Sequence, residues 1–278
     1  MRTLKITLAY DGTRFVGWQR QADGESIQGL IETALARIEG MPVTVHGAGR
    51  TDAGVHALGQ VASARMTSPL DPATLTRAIN GHLPPDIRIL TVEDKDDGFH
   101  ARFSARSKCY RYQFDVAAIA SPFDRAYAWH LPQPLDVEAM REAAAALIGT
   151  HDFAAFQSAG SAVSGTVRTL TRSGFRTDTF GSPARDPTVP RRPGDAENDP
   201  GSAARIRDSL ARHLLVYEVG CNGFLRHMVR AIAGTLVEAG QGRRTAASIT
   251  ALLRGGTRAE AGRTAPAHGL FLVGVDYD

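Results

Sequence analysis

The densest cluster of chemically capable side chains lies in residues 47–57, which read Gly-Ala-Gly-Arg-Thr-Asp-Ala-Gly-Val-His-Ala. The three glycines and three alanines of this segment leave room for a ligand to approach the backbone closely. Among them stand a cation, Arg50, and a carboxylate, Asp52. A neighbouring cation favours the ionised form of a carboxylate, and an ionised carboxylate can act as a nucleophile. The pattern makes Asp52 a candidate nucleophile.

Three other interpretations of this loop can be weighed. A phosphate-binding loop fits poorly, because the Lys-Ser/Thr ending is missing and the charge of Asp52 would repel a phosphate. Glycoside hydrolysis needs a second carboxylate in a comparable setting, and neither Asp11 nor Asp152 lies in a similarly unusual loop. An aspartate in a glycine-rich turn is also a common helix cap, and the loop alone leaves that structural interpretation open.

A metal site is a further alternative, since four potential ligands lie in or near the loop: His46, Asp52, His56 and His100. Their spacing matches no common ligand pattern, and the positive charge of Arg50 would oppose a cation. The sequence also lacks a dinucleotide-binding fingerprint and a P-loop. The residues therefore favour neither a metal site nor a dinucleotide or nucleotide-phosphate site.

The elements that must position the loop follow from residue spacing. Alternating residues predict strands over 2–10 and 108–116, and Tyr110, Tyr112 and Phe114 share one side of the second. Further strands are predicted near residues 43–45, 87–89, 166–175, 213–219 and 270–277. Helices are predicted between Ser26 and Gly40, from Asp71-Pro72, over Val137–Leu147, between Gly223 and Gly240, and over 246–253. Because these elements lack a strict βαβ rhythm, the pattern favours an α+β fold with a largely antiparallel sheet.

Composition sets the broad class of the protein. The 278 residues suffice for one large domain or two modest ones, and 43% hydrophobic with 22% charged residues is typical of a globular chain. No run approaches the roughly 18 apolar residues of a membrane span, which argues against a membrane protein. The alternating N-terminus predicts neither a signal nor a transit peptide, so we expect a cytoplasmic protein. The two cysteines are too few for a disulfide framework.

Two features of the composition bear on partners. Only three of the 32 basic residues are lysines. Arginine suits phosphate and base recognition, although compositional bias explains most of the ratio. Residues 178–207 contain five prolines, mixed charges and almost no large apolar side chain, which predicts a long exposed or disordered insertion.

The loop at 49–57 resembles the signature of the tRNA pseudouridine synthase A family, and the resemblance extends to other segments. The further matching segments are residues 10–19, 99–105, 108–112, 149–153, 222–230 and 269–273. They lie in one order over nearly the whole chain. Any one of these matches could be chance, whereas the ordered set is highly specific.

The resemblance implies an isomerase that converts uridine to pseudouridine at positions 38–40 of the tRNA anticodon arm without a cofactor. It implies that Asp52 is the nucleophile, that Arg230 pairs with this carboxylate and that Tyr110 lies against the target base. It associates Arg50 with flipping that base out of its stack. Contacts to the tRNA backbone are expected from Arg14, Arg20, Lys108 and Arg111.

Each implied role has an alternative from the residues themselves. Without the resemblance, Tyr110 would be assigned to the core, because Tyr112 and Phe114 share its strand side. Arg230 lies four residues after Arg226, and such pairs on an amphipathic helix are usually solvent-facing. The chain as a whole could be a non-catalytic tRNA-binding module or chaperone, or a nucleoside hydrolase that releases free uracil.

The resemblance also implies an architecture and an assembly. It implies two similar α+β halves around a central sheet, with a basic cleft between them. We place the N-terminal half at 1–105, with the Asp52 loop, and the C-terminal half at 106–278. The family is dimeric, so a homodimer with one tRNA reaching across both protomers is expected, with no membrane partner.

Overall fold

The computed structural model describes residues 1–158, 165–180 and 212–277. Within these ranges, ten strands form one mixed sheet and five α-helices pack on it. The strands are β1 (Arg2–Tyr10), β2 (Val45–Gly47), β3 (His56–Met66), β4 (Ile87–Lys95), β5 (Ser107–Asp115), β6 (Trp129–His130), β7 (Gly149–Asp152), β8 (Val167–Phe180), β9 (Arg212–Cys221) and β10 (Leu270–Asp276). The helices are α1 (Ile27–Glu39), α2 (Pro72–His82), α3 (Val137–Ala145), α4 (Met228–Gly240) and α5 (Ala246–Leu252).

The sheet runs in the order β4-β1-β3-β10-β5-β9-β8-β7, with β2 added to β3 and β6 added to β5. All pairings are antiparallel except β3 with β10 and β5 with β6. The predicted α+β fold with a largely antiparallel sheet is therefore confirmed. The C-terminal strand β10 lies between β3 and β5, so it joins the strands that come first in the chain to those that come later. The division at residue 105 remains a prediction.

The first two helices are bounded by the capping residues that their sequences predict. The Ser26 side chain accepts a hydrogen bond from the Gly29 amide, and Gly40 ends α1 in the left-handed conformation with a φ of 78°. Asp71 accepts from the amides of the second and third residues of α2, and Pro72 occupies the first turn. These boundaries depend only on neighbouring residues, which explains why the sequence predicts them.

Helix α4 begins later than the sequence predicts. The predicted helix starts after Gly223, whereas His227 has a φ of 60° and the helix begins at Met228. A left-handed residue cannot continue a right-handed helix, so Leu225 lies in the preceding turn. The predicted apolar stripe is nevertheless buried from Leu225 to Leu236.

Sequence reasoning missed three strands, the short strands β6 and β7 and the long strand β3. Strand β3 lies between β1 and β10 and is buried along most of its length, so its residues do not alternate between apolar and polar. Strand β2 also lies at Val45–Gly47, two residues beyond its predicted place. The first three residues of the predicted insertion, 178–180, belong to β8, and the rest of it, 181–207, lies outside the described residues.

One core cluster extends through both halves of the sheet. Tyr112 and Phe114 of β5 lie in it fully buried, together with Leu4, Ile6 and Leu8 of β1. No helix in the described part of the chain is long and apolar enough to cross a membrane.

Candidate active site between the Asp52 loop and helix α4

The loop between β2 and β3 carries Asp52. Tyr10, at the end of β1, and Trp18, which follows β1, both form hydrogen bonds with this loop. The hydroxyl groups of Tyr10 and Thr51 are 2.8 Å apart and share a hydrogen bond. The Trp18 amide donates to the carbonyl oxygen of Thr51 at 3.0 Å. Because both contacts are made by the residue before Asp52, they fix the direction in which the Asp52 side chain leaves the backbone.

Two glycines allow the segment after β1 to lie directly against this loop. A Cβ atom on Gly17, whose φ is +108°, would lie 2.7 Å from the carbonyl oxygen of Thr51. A Cβ atom on Gly12 would lie only 2.0 Å from the carbonyl oxygen of Val55. Only glycine therefore fits at these two positions without moving the loop.

The Asp52 carboxylate contacts two side chains from the start of α4. The Nη1 atom of Arg230 donates to Oδ2 of Asp52 at 3.3 Å, and Nε2 of His227 lies 3.4 Å from the same oxygen. The guanidinium group of Arg230 is oriented by a second hydrogen bond, from Nε to the carbonyl oxygen of Ala265 at 2.8 Å. The structure thus brings together two predicted site residues, Asp52 and Arg230, that lie 178 positions apart.

The ion pair between Asp52 and Arg230 is only partly buried. The Asp52 side chain is 36% exposed, whereas that of Arg230 is 17% exposed. Both contacts are made to Oδ2, and Oδ1 accepts none of the hydrogen bonds found among the described residues. The Asp52 side chain therefore combines partial exposure with one carboxylate oxygen, Oδ1, that has no hydrogen-bond donor among the described residues.

Tyr110 of β5 lies at the edge of the core beside this carboxylate. Its ring is buried and packs edge-on against Phe224, with centroids 4.9 Å apart. Burial raises the pKa of Tyr110, and the nearby Tyr10 and Asp52 raise it further, so the phenol stays neutral. Tyr110 therefore combines a place in the core cluster with a position near Asp52.

Two of the predicted RNA-binding cations, Arg50 and Lys108, lie near the loop and pair with no carboxylate among the described residues. Arg50 is exposed, two residues before Asp52. The Nζ atom of Lys108 lies 3.6 Å from the position that a Cβ atom would take on Gly49. Burial lowers the pKa of Lys108, and the neighbouring positive charge of Arg102 lowers it further.

The other three predicted tRNA contacts each form an ion pair. Arg14 contacts Glu25 at 2.6 Å and Asp86 at 3.0 Å. The remaining two pairs are Arg20 with Glu32 at 3.0 Å and Arg111 with Glu218 at 3.4 Å. A phosphate would have to compete with these carboxylates, whereas Arg50 and Lys108 have no such competitor among the described residues.

The four side chains weighed as a metal site do not converge. The rings of His46 and His100 pack against each other with centroids 4.9 Å apart. His56 is buried, and its Nδ1 accepts a hydrogen bond from the Gly12 amide at 3.0 Å. Within the described ranges, no group of three or more His, Cys, Asp or Glu side chains is arranged to hold a metal ion.

Sequence reasoning missed His227 as a residue of this site. The residue lies in the segment 222–230 that carries the family resemblance, but nothing in its spacing indicates a left-handed turn. The Asn222-Gly223 pair, which is typical of a turn, is the signal that could have placed the helix start later.

Comparison with known proteins gives matches along the whole chain. A family model described as tRNA pseudouridine synthase matches residues 6–104 and 143–278. The tRNA pseudouridine synthase A of Syntrophotalea carbinolica is 40% identical over 277 residues, which cover 100% of this chain and 97% of that protein. The proteins of the same name from Solibacter usitatus and Brevibacillus brevis are 41% and 42% identical over 279 residues, and both chains are covered completely. The similarity is therefore not confined to the loop around Asp52.

Proposed function

Because this chain belongs to the tRNA pseudouridine synthase family, we propose that it modifies positions 38–40 of the tRNA anticodon arm, with Asp52 as the nucleophile. The activity itself is the isomerisation of uridine to pseudouridine in tRNA. The single observation that carries the proposed role of Asp52 is its carboxylate, which contacts Arg230 through Oδ2 and leaves Oδ1 open.

The reaction balances without any co-reactant. One Asp52 oxygen attacks C1′ of the ribose, and the electron pair of the breaking C1′–N1 bond goes to the uracil ring. The ring turns, C5 bonds to C1′, and the carboxylate leaves. C5 then loses its hydrogen and N1 gains one, so that the product is an isomer of the substrate. Attack on the uracil ring, or a route through a glycal, would use the same carboxylate.

The side chains around Asp52 have matching roles in this proposal. The positive charge of Arg230 keeps the carboxylate ionised and therefore nucleophilic. Tyr110 gives the detached uracil an aromatic wall, so that the base stays in the site while it turns. A uridine inside a stem is stacked, and Arg50 takes the place that it vacates when it flips out.

The substitution Asp52→Asn tests the nucleophile, because it keeps the shape of the side chain and removes its charge. We expect no pseudouridine from this variant or from Asp52→Ala, and tRNA binding within about tenfold of wild type, or about 1.4 kcal/mol. Asp23→Asn, at an exposed position, is the matched control and should retain full activity. Pseudouridine formed by purified Asp52→Ala would exclude Asp52 as the nucleophile.

Product analysis separates this proposal from its alternatives. We expect pseudouridine at positions 38, 39 and 40 when tRNAs with a single uridine at one of these positions are mapped after incubation. Free uracil would instead indicate a nucleoside hydrolase, and unmodified tRNA a binding module.

The assembly is part of the proposal and rests on the family resemblance. We expect a homodimer, with one tRNA in contact with both protomers, in the cytoplasm where its substrate is found. Light scattering should give a mass twice the 29.8 kDa of one chain. A mass of one chain at the concentrations used for the assay would contradict the dimer and leave the chemistry of Asp52 untouched.

A further inference from the structure

His227 combines an unusual backbone conformation with a contact to the nucleophile. Its φ of 60° makes it the one non-glycine residue with a positive φ in the described part of the chain. A non-glycine residue in the left-handed region is strained, and such strain persists where the surrounding structure requires it. The conformation turns the chain directly before α4 and directs the imidazole toward the Asp52 loop.

Both nitrogens of the His227 ring have a polar neighbour. Nδ1 lies 2.9 Å from the hydroxyl oxygen of Ser158, and Nε2 lies 3.4 Å from Oδ2 of Asp52. When the ring is neutral and Nδ1 accepts from Ser158, the single ring proton is on Nε2 and points to Asp52. The Asp52 carboxylate only accepts and therefore favours this tautomer, in which the Ser158 hydroxyl donates to Nδ1.

The charges around the ring favour this neutral form. Burial lowers the pKa of His227, and the Asp52 carboxylate opposes that effect. The positive charges of Arg230, Arg226 and Arg258 lower the pKa further. The imidazole is therefore mostly neutral at pH 7, and it gains a proton only at a pH below its ordinary value of about 6.5.

We infer that His227 is a positioning residue for the nucleophile, since it and Arg230 both hold Oδ2 of Asp52 and so turn Oδ1 toward the substrate. This inference rests on the proposed role of Asp52. Arg230 donates a hydrogen bond to Oδ2, and the His227 ring, 3.4 Å from the same oxygen, restricts the rotation of the carboxylate about its last bond further. A positioned attacking atom needs less reorganisation to reach the transition state.

The substitution His227→Gly separates this role from a structural one. Glycine adopts a φ of 60° without strain, so we expect a melting temperature equal to or above that of wild type. We expect kcat to fall by about 100-fold, the effect of misplacing a reacting group by about 1 Å, while KM for tRNA changes little. A residue with only a structural role would show the opposite result, a lower melting temperature and an unchanged kcat.

The substitution His227→Gln gives a second readout. The glutamine amide can donate near the position of Nε2 but does not titrate, so we expect it to recover part of the lost turnover. In wild type, turnover should fall as the pH falls through the lowered pKa of His227. Arg230 already keeps Asp52 ionised, so a second cation beside it only makes the carboxylate less basic and a weaker nucleophile, and protonation also turns Nδ1 into a donor. His227→Gln should lack this step. His268 also lies near Arg230 and titrates. Because it is present in both wild type and His227→Gln, its effect cancels when the two pH profiles are compared.

The control is His82→Gln, the same substitution at an exposed position at the end of α2, which should leave kcat and its pH profile unchanged. If His227→Gly does not fold, the kinetics of His227→Asn and His227→Gln decide, since asparagine tolerates the left-handed region. Wild-type kcat in the His227 variants, with Asp52→Asn inactive, would overturn the inference and leave the proposed function standing. An active Asp52→Asn would instead overturn the proposed function.

Discussion

Two aspartate–histidine pairs lie next to the same loop, and they differ in how many of their polar atoms are already occupied. In the first pair, the Asp52 carboxylate is contacted through Oδ2 only, and its side chain is 36% exposed. In the second pair, Asp11 lies 3.2 Å from Nδ1 of His56; the Asp11 side chain is 31% exposed and the His56 side chain 2%. The same two residue types therefore occur in two different environments next to one loop.

The polar atoms of the second pair are occupied by the protein itself. Asp11 accepts hydrogen bonds from the amide and hydroxyl of Thr13 and from the hydroxyl of Tyr127. His56 accepts at Nδ1 from the Gly12 amide, and its Nε2 faces two backbone carbonyl oxygens at 3.1 and 3.2 Å. Burial lowers the pKa of His56, although the charge of Asp11 opposes this. In this pair both carboxylate oxygens of Asp11 already accept hydrogen bonds from the protein, which ties the segment after β1 to its neighbours.

The two pairs contain the same residue types, so the types do not distinguish them. They differ in hydrogen bonding, because Asp11 accepts three hydrogen bonds and Asp52 accepts one, from Arg230, among the described residues. We therefore expect substitutions at the Asp52–His227 pair to reduce turnover, and substitutions at the Asp11–His56 pair to reduce the free energy of unfolding.

Among substitutions of the residues around the two aspartates, the largest effect should come from Arg230→Met, which removes the cation from Oδ2 of Asp52 and keeps most of the side-chain length. We expect kcat to fall by at least 100-fold, which is about 2.7 kcal/mol, while tRNA binding changes by less than tenfold. Single-turnover kinetics and filter binding measure the two quantities. Arg243→Met, at an exposed position, is the control. Wild-type kcat in Arg230→Met would mean that the nucleophile does not need this ion pair.

The next effect should come from Gly12→Ala, which displaces the backbone amide that donates to His56 in the second pair. The added Cβ would lie 2.0 Å from the carbonyl oxygen of Val55, so the loop must move. We expect a loss of about 1–3 kcal/mol in the free energy of unfolding, measured in urea. Gly81→Ala, in α2 with no atom near the added Cβ, should instead gain about 0.5–1 kcal/mol. Equal stability of the two variants would contradict the close approach.

The smallest effect should come from Asp11→Asn, and it should depend on pH. Burial opposes ionisation of Asp11, but hydrogen bonds from Thr13 and Tyr127 outweigh it and lower the pKa of Asp11. The ionised carboxylate therefore stabilises the fold above pH about 4, and this contribution is lost as the pH falls through the lower folded pKa.

We expect Asp11→Asn to be about 1 kcal/mol less stable than wild type at pH 7, and the difference to shrink below pH about 4. Urea unfolding at pH 7, 4 and 3 measures it. The loss of turnover should be smaller than that of Asp52→Asn. A difference in stability that stays constant over this range would show that the charge of Asp11 does not contribute.

The local elements of the fold were the most predictable part of the structure. Strand β1 alternates cleanly, and Ser26, Gly40 and Asp71 bound helices through hydrogen bonds that span no more than a few residues. Strand β3 was missed because its neighbours in the sheet, which the local sequence does not reveal, bury it along most of its length. The start of α4 was misplaced because the left-handed turn at His227 depends on contacts with Ser158 and Asp52.

The sequence by itself identified the candidate residues of this site, since Asp52, Tyr110 and Arg230 all lie in ordered motifs that resemble those of one family. Tertiary structure alone decided that the Asp52 carboxylate meets Arg230 and His227, and that Asp11 accepts a hydrogen bond from the distant Tyr127. The physical reason is distance along the chain. Capping and alternation act between near neighbours, whereas the contact of Asp52 with Arg230 joins the loop before β3 to α4 across 178 positions of the chain.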